Sequence, residues 1–504
     1  MFLHFLRRPS VWAAFFIALP LAAQTQEELA RQSRHAKELM SAGQFEEAIP
    51  IYQQLVKAVP GNPGLILNLG LAEEMAGHPA QAAPHFETVL KSEPNSIPAL
   101  TSLGMARLQL NDPKRAVPPL QKLVTLQPEN REGRGMLAGA LMAVNRYEDA
   151  ASQYRKLAAQ DPSEAKAWYG LGKAYESLSA RSFDRLQKLG AHSPYVAALI
   201  ADEQARNQQY RSAFFFYRQA AGKLPHLPGL HTGLADVYRK TGHDDWAGTE
   251  EKMERNLPSP NCTVAVAECQ FTAGNFLKSA RAAGTSASAE SLYWATKSYN
   301  QLALQVFEHL GRLPESVEIH ALKAEVFHSH KQYAEAANEW RAALKLAPGD
   351  PRLEHELASS LFLAQDYRTA VPMIEKMIGE NPKPPDLNFM MGDSLVRTQQ
   401  PEKAVPYLKA ALKGDPAMLA ADASLGLALA LVNKQSEAIP HLEKALSLDE
   451  DGSLHYQLAR AYQSAGNTQR ARELMAQYQQ IQKQNEKSKQ EVAKEAEITA
   501  PGGK

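Results

Sequence analysis

Cysteine is nearly missing from this chain: 504 residues hold two, Cys262 and Cys269. No histidine-rich partner lies close to them in sequence, which argues against a zinc site. In one straight helix two residues seven apart sit about 10 Å from each other, too far to bridge. Pro258 and Pro260 keep the chain before Cys262 out of a helix, however, so a folded-back disulfide and two buried thiols both remain open. Charge of one sign is missing too, since Lys+Arg and Asp+Glu both number 55. That balance argues against a nucleic-acid binder, which carries a basic excess or stripe. Beyond the N-terminus no segment is apolar enough to cross a membrane. Walker loops, GxGxxG after a strand, GxSxG and HExxH are absent as well, so no standard catalytic signature is present.

The N-terminus does carry an address. Arg7 and Arg8 precede an apolar run from Val11 to Leu19, and Leu21-Ala22-Ala23 then meets polar Gln24 to Glu27. A basic start, a short apolar stretch and small residues at its end make a secretory signal peptide over residues 1–23, with cleavage expected after Ala23. Leu21 is larger than the ideal residue at such a site, and an uncleaved inner-membrane anchor facing the periplasm is the alternative. No cysteine directly follows the run, which argues against a lipid-modified N-terminus.

The rest of the chain repeats. "GLILNLGLAEEMAGHPAQAAPHFETVLKSEP" from Gly64 aligns with "PALTSLGMARLQLNDPKRAVPPLQKLVTLQP" from Pro98, placing Leu69-Gly70 over Leu103-Gly104, Ala82 over Ala116 and Pro94 over Pro128, all 34 residues apart. The series continues at Leu137-Ala138, Tyr147, Ala150, Tyr154 and Pro162. This pattern resembles the tetratricopeptide repeat, a helix–turn–helix unit of about 34 residues. Small residues at positions eight and twenty let the two helices of a unit approach, and larger ones at four, seven, eleven and twenty-four fill the space around them. Gly or Asn at position fifteen (Gly43, Gly77, Asn111, Asn145) ends the first helix, and Pro at thirty-two (Pro60, Pro94, Pro128, Pro162) stops the second. Full units begin near residues 29, 63, 97, 131, 194, 228, 317, 351, 385, 419 and 452. The resemblance implies an all-α, right-handed solenoid.

Two features are private to this chain. Pro50, Pro84, Pro118, Pro372, Pro406 and Pro440 all fall at position twenty-two, which predicts second helices that start shortly before them, with proline in the first turn. Two units also lack their turn. In a full unit the anchors at positions eleven and twenty-four are 13 apart, whereas Tyr175 and Phe183 are 8 apart, as are Tyr299 and Phe307. With no Gly or Pro between Tyr175 and Leu189, the two helices are expected to fuse into one rod of about 25 residues or to kink near Ser177–Ser182. The solenoid is expected to change direction there.

The organisation that follows is an N-terminal array (24–164), a middle section with two turnless units (165–316), a C-terminal array (317–478), and a polar helical extension with an unstructured tail (479–504). Inside the middle section, residues 258–288 form an irregular half-repeat and connector.

Repeats fill nearly the whole chain and leave no room for a separate catalytic domain of usual size. The densest titratable group is His320, His328, His330 and His355 with Glu325, and a metal-dependent enzyme built on His320, His328 and His355 is the rival reading. The family resemblance points instead to the inner groove, lined by first-helix positions two, five, nine and twelve. In the N-terminal array these include Leu67, Leu71, Thr101, Met105, Leu108 and Met142, an apolar, methionine-bearing strip. In the C-terminal array they include His355, Phe389, Asp393, Tyr456 and Arg460, a more polar one. The family's Lys and Asn clamp for a peptide carboxylate would need those residues at Ser33 and Lys37 and is absent. The expected function is an exported, non-enzymatic scaffold that binds protein or peptide partners in the periplasm, with no cofactor, nucleic acid or small-molecule substrate. An accessory role in envelope or polysaccharide assembly or secretion is the alternative within the same class.

Overall fold

The computed structural model describes residues 18–284, 286–381, 384–495 and 497–502, with the side chains of 18–25 and 488–495 left out. The signal-peptide reading lies outside these residues, apart from the backbone of 18–23. Among the described residues every regular element is a helix, from Ala18–Ser41 to Thr468–Glu495. The fold is an all-α solenoid. It divides into two compact units, one ending at Leu178 and one beginning at Ser179.

The helix pairs obey the repeat closely. Ile97–Gln109 and Pro113–Leu126 form one unit, and Arg131–Ala143 and Tyr147–Gln160 the next. Position fifteen has a positive φ in all eleven full units. Gly43, Gly77, Gly242 and Gly466 supply it, as do Asn111, Asn145 and Asn433, but Gln208, Lys331, Gln365 and Gln399 adopt it as well. The turn therefore imposes the left-handed conformation even on side chains that pay for it, at about 1 kcal/mol each. Gln365→Gly is accordingly expected to raise the unfolding free energy by about 1 kcal/mol, read as a higher urea midpoint at unchanged slope.

Position eight explains the close approach of the two helices. A Cβ on Gly104 would lie 2.4 Å from Leu120 Cδ2, and one on Gly426 would lie 2.6 Å from Leu442 Cγ, both leucines being at position twenty-four. At Tyr154 and Tyr217, both at position twenty-four, the next unit makes room at position six: Gly170 faces Tyr154 and Gly233 faces Tyr217 in the same way. The position twenty-two prolines correct one expectation. Pro50 is the sixth residue of Phe45–Ala58 and so lies in the second turn, not the first. The hydrogen bond it forgoes belongs to a solvent-facing carbonyl, for all six of these prolines are exposed and water can replace the missing N–H.

The first turnless unit is a single helix, Ala165–Leu189, and the second is another, Ala289–Leu310. The boundary between the two compact units falls inside the first of them. Within the second unit the two rods meet: Ser179 Oγ donates to Asn300 Oδ1 at 2.6 Å, across 121 residues. Leu186, Phe214, Tyr217, Leu234, Tyr238, Tyr293 and Trp294 share one core there. The chain from Ser179 to about residue 300 thus closes on itself, where a straight stack would touch only its neighbours.

Residues 258–288 hold a shortened helix pair, Val266–Thr272 and Phe276–Ala283, joined through Gly274 at φ +74° in the same left-handed turn. Cys262 and Cys269 are bonded, with Cα atoms 5.6 Å apart. The bridge ties the loop before this pair to its first helix, which lacks the length to bury itself alone.

Candidate functional site

The first unit holds a cleft of about 570 Å³ lined by Leu108, Gly135, Met136, Gly139, Tyr154 and Leu157. Gly135 and Gly139 stand at positions five and nine of the helix Arg131–Ala143, where larger side chains would face the groove. Neither has any atom within 4 Å of where a Cβ would be. The floor of the cleft is therefore bare helical backbone, and the walls are apolar. Burial pushes the Tyr154 phenol above its usual range, in keeping with a dry wall. The rim is charged: Arg131 holds Asp161 at 2.9 Å and Glu164 at 2.7 Å, with Glu132 and Lys166 beside them.

Of the residues expected in the N-terminal groove, Leu108 lines this cleft directly. Leu67 and Leu71 are half-buried against Phe86 and Leu103 one layer earlier, and Met142 lies half-buried near Leu137 and Leu141. Met105 keeps part of its surface exposed, and the Thr101 hydroxyl is spent on the Ile97 carbonyl at 2.9 Å. The two groove glycines had no place in that expectation. Their signal was available in "REGRGMLAGALMA", which spends glycines in a helix interior with no turn to make.

In the second unit the polar positions are largely paired with one another. His355 Nε2 sits 2.5 Å from Asp386 Oδ2, linking positions five and two of successive units. Phe389 packs edge-on to Phe362 with ring centroids 6.0 Å apart. Asp393 is buried, accepting from Ser424 Oγ at 2.7 Å and from Arg397 Nε at 2.6 Å, and that carboxylate holds the Arg397 guanidinium above its ordinary value. Tyr456 and Arg460 stay exposed, the guanidinium 6.0 Å from the Tyr456 ring centre and the Tyr478 ring 5.6 Å from it.

The histidines do not converge. His320 Nδ1 pairs with Glu339 at 2.7 Å, His328 packs on the Tyr333 ring, and the His330 ring meets the Val326 carbonyl. With His355 on Asp386, each answers to a different neighbour. No group of three metal-ligating side chains comes together among the described residues. His320, His328 and His330 belong to the helix Val317–Ser329 and its cap, and His355 to the next unit, but each turns to its own neighbour, so among the described residues the metal-enzyme reading has no constellation to stand on.

Family models described as tetratricopeptide repeat match residues 39–108, 107–174 and 389–453. The chain carries tetratricopeptide repeats. The segments matched lie in both compact units, and the helix pairs between and beyond them carry the same position-fifteen turn. Solved structures similar to parts of it include MamA residues 41-end from Desulfovibrio magneticus RS-1, at 20% identity over 34% of this chain and 97% of that one, with a TM-score of 0.31. YrrB, described as a TPR protein with an unusual peptide-binding site, is 22% identical over 33% of this chain and 87% of its own, with a TM-score of 0.29. A tetratricopeptide repeat protein from Parabacteroides merdae is 12% identical over 66% of this chain and 99% of its own, with a TM-score of 0.31. No curated protein sequence matches the chain significantly.

Proposed function

We propose that this tetratricopeptide array is an exported scaffold that captures an extended segment of a partner protein, with the glycine-floored cleft of the first unit as its principal anchor point. One observation carries the reading: a helix interior spends two glycines, at about 1 kcal/mol each, to leave backbone bare between apolar walls. Close helix packing does not explain that cost, since a Cβ at either position would meet nothing within 4 Å outside its own helical turn. The cleft of about 570 Å³ suits one or two apolar side chains, and the Arg131, Glu132, Glu164 and Lys166 rim gives charge selection around it. Export is supported by the N-terminal signal pattern and by the Cys262–Cys269 bridge, a bond at home in an oxidising compartment such as the periplasm.

The test separates binding from stability. Gly135→Ala and Gly139→Ala are each expected to stabilise the first unit by about 0.5–1 kcal/mol, through helix propensity in open space. Gly139→Leu is expected to keep the fold and fill the cleft, so partners captured by the purified wild-type chain from a periplasmic extract are lost. Partners recovered equally by the wild-type chain and Gly139→Leu would remove the cleft from the proposal.

A further inference from the structure

The end of the chain does not trail into solvent as the sequence suggests. After the polar helix Thr468–Glu495, residues 497–502 return to the middle section and lie against it in non-helical conformation. Ile498 packs on the core shared by Phe214 and Tyr238. The Thr499 carbonyl accepts from Tyr238 Oη at 2.6 Å, and the Thr499 hydroxyl accepts from Arg218 Nη1 at 2.7 Å. Ala500 and Pro501 are half-buried behind them. This is how a short extended peptide is recognised: one aliphatic anchor, one main-chain bond and one side-chain bond.

The receiving surface is not the inner groove. Arg218 belongs to the second helix of one unit, Tyr210–Ala221, and Tyr238 to the first helix of the next, Leu230–Lys240. Neither stands at position two, five, nine or twelve. Beside the tail a cleft of about 870 Å³ stays open, lined by Gln208, Tyr210, Ser212, Thr241 and His243 together with Glu497 and Ile498. The segment therefore fills one end of a larger site at the edge where the units turn. Its own anchorage is slight, with no fully buried side chain among the described residues of 497–502, so a competing segment can exchange with it.

We infer that Arg218, Tyr238 and the aromatic surface around them form a second peptide site, selective for an extended segment carrying an aliphatic residue followed by threonine. The chain's own C-terminal segment Glu497–Gly502 is its resident occupant, and it holds the site closed until a partner segment of the same chemistry displaces it. A tethered segment competes at an effective concentration on the order of millimolar, which masks weak ligands added from outside.

The experiment uses the full chain and a fluorescent peptide of residues 496–502, Ala-Glu-Ile-Thr-Ala-Pro-Gly, followed by anisotropy. Ile498→Asp is expected to bind this peptide at least about tenfold more tightly than the wild-type chain does, because the occupant is expelled. Adding Arg218→Ala or Tyr238→Phe to that variant is expected to reverse the gain. Replacing residues 497–502 by Gly-Ser repeats expels the occupant without introducing charge and is expected to give the same gain. Amide exchange over residues 210–243 is expected to quicken in both expelled variants and to slow again on peptide addition. Failure of both variants to bind more peptide than the wild-type chain overturns the proposal, whatever the fate of the glycine-floored cleft. So does a gain that survives Arg218→Ala and Tyr238→Phe.

Discussion

Replacing Trp294 by alanine is expected to lower the unfolding free energy of the second unit by about 3–5 kcal/mol, the largest effect of any single truncation proposed here. Trp294 is 2% exposed and sits where three parts of the middle section meet. Its ring centroid lies 5.2 Å from Phe271, on the disulfide-tied short helix, and 5.0 Å from Tyr293, its neighbour in the second turnless rod. The hole left behind would lie between the second turnless rod and the short helix that the bridge ties down, so the cavity term adds to the transfer term. The Trp294 Nε1 hydrogen has no acceptor among the described residues, so Trp294→Phe removes a buried polar group along with the bulk. That variant is expected to cost less than about 1.5 kcal/mol. Urea unfolding followed by circular dichroism checks both. Equal losses for Ala and Phe would mean that packing is not what Trp294 contributes.

The second large effect is at Lys297. Its ammonium lies 3.2 Å from Asp202 Oδ2 and 3.1 Å from the Tyr293 hydroxyl, with Tyr217 Oη donating to the other Asp202 oxygen at 2.7 Å. The pair joins the second turnless rod to the helix Pro194–Arg206. Lys297→Met keeps the aliphatic stem and leaves Asp202 charged and without its cation. A loss of about 3 kcal/mol is expected, at the lower end for a broken buried pair because about a fifth of Asp202 still reaches solvent. The double variant Lys297→Met/Asp202→Asn is expected to recover most of that loss. Burial alone would lower the lysine pKa, but Tyr293 and Asp202 outweigh it and hold the value above the ordinary range. A raised lysine contributes stability that is fully present below its unfolded pKa of about 10.4 and is lost as pH rises through the folded value. The wild-type chain is therefore expected to hold this contribution unchanged through neutral pH and lose it only in strong alkali, while Lys297→Met shows no such loss.

Much of this architecture was legible because a repeat writes its packing locally. Gly104 lies under Leu120 and Gly426 under Leu442 because positions eight and twenty-four face each other in any two helices joined by a tight turn. The missing turn between Tyr175 and Phe183 was likewise countable, and it became one helix because nothing in that stretch breaks one. The candidate cleft was half legible. Leu108 was found as an apolar groove residue, but Gly135 and Gly139 were passed over, since a pattern of large residues does not register a space that glycine leaves empty.

By itself, then, the sequence determined what depends on neighbours within about 34 residues: the helix pairs, their turns and the two fused rods. Tertiary structure alone decided what depends on chain segments far apart. Ser179 meets Asn300, Lys297 pairs with Asp202, and Thr499 returns to Tyr238 across 261 residues. Periodicity carries no information about such meetings, because it fixes which face of a helix is apolar and not which distant surface will cover it.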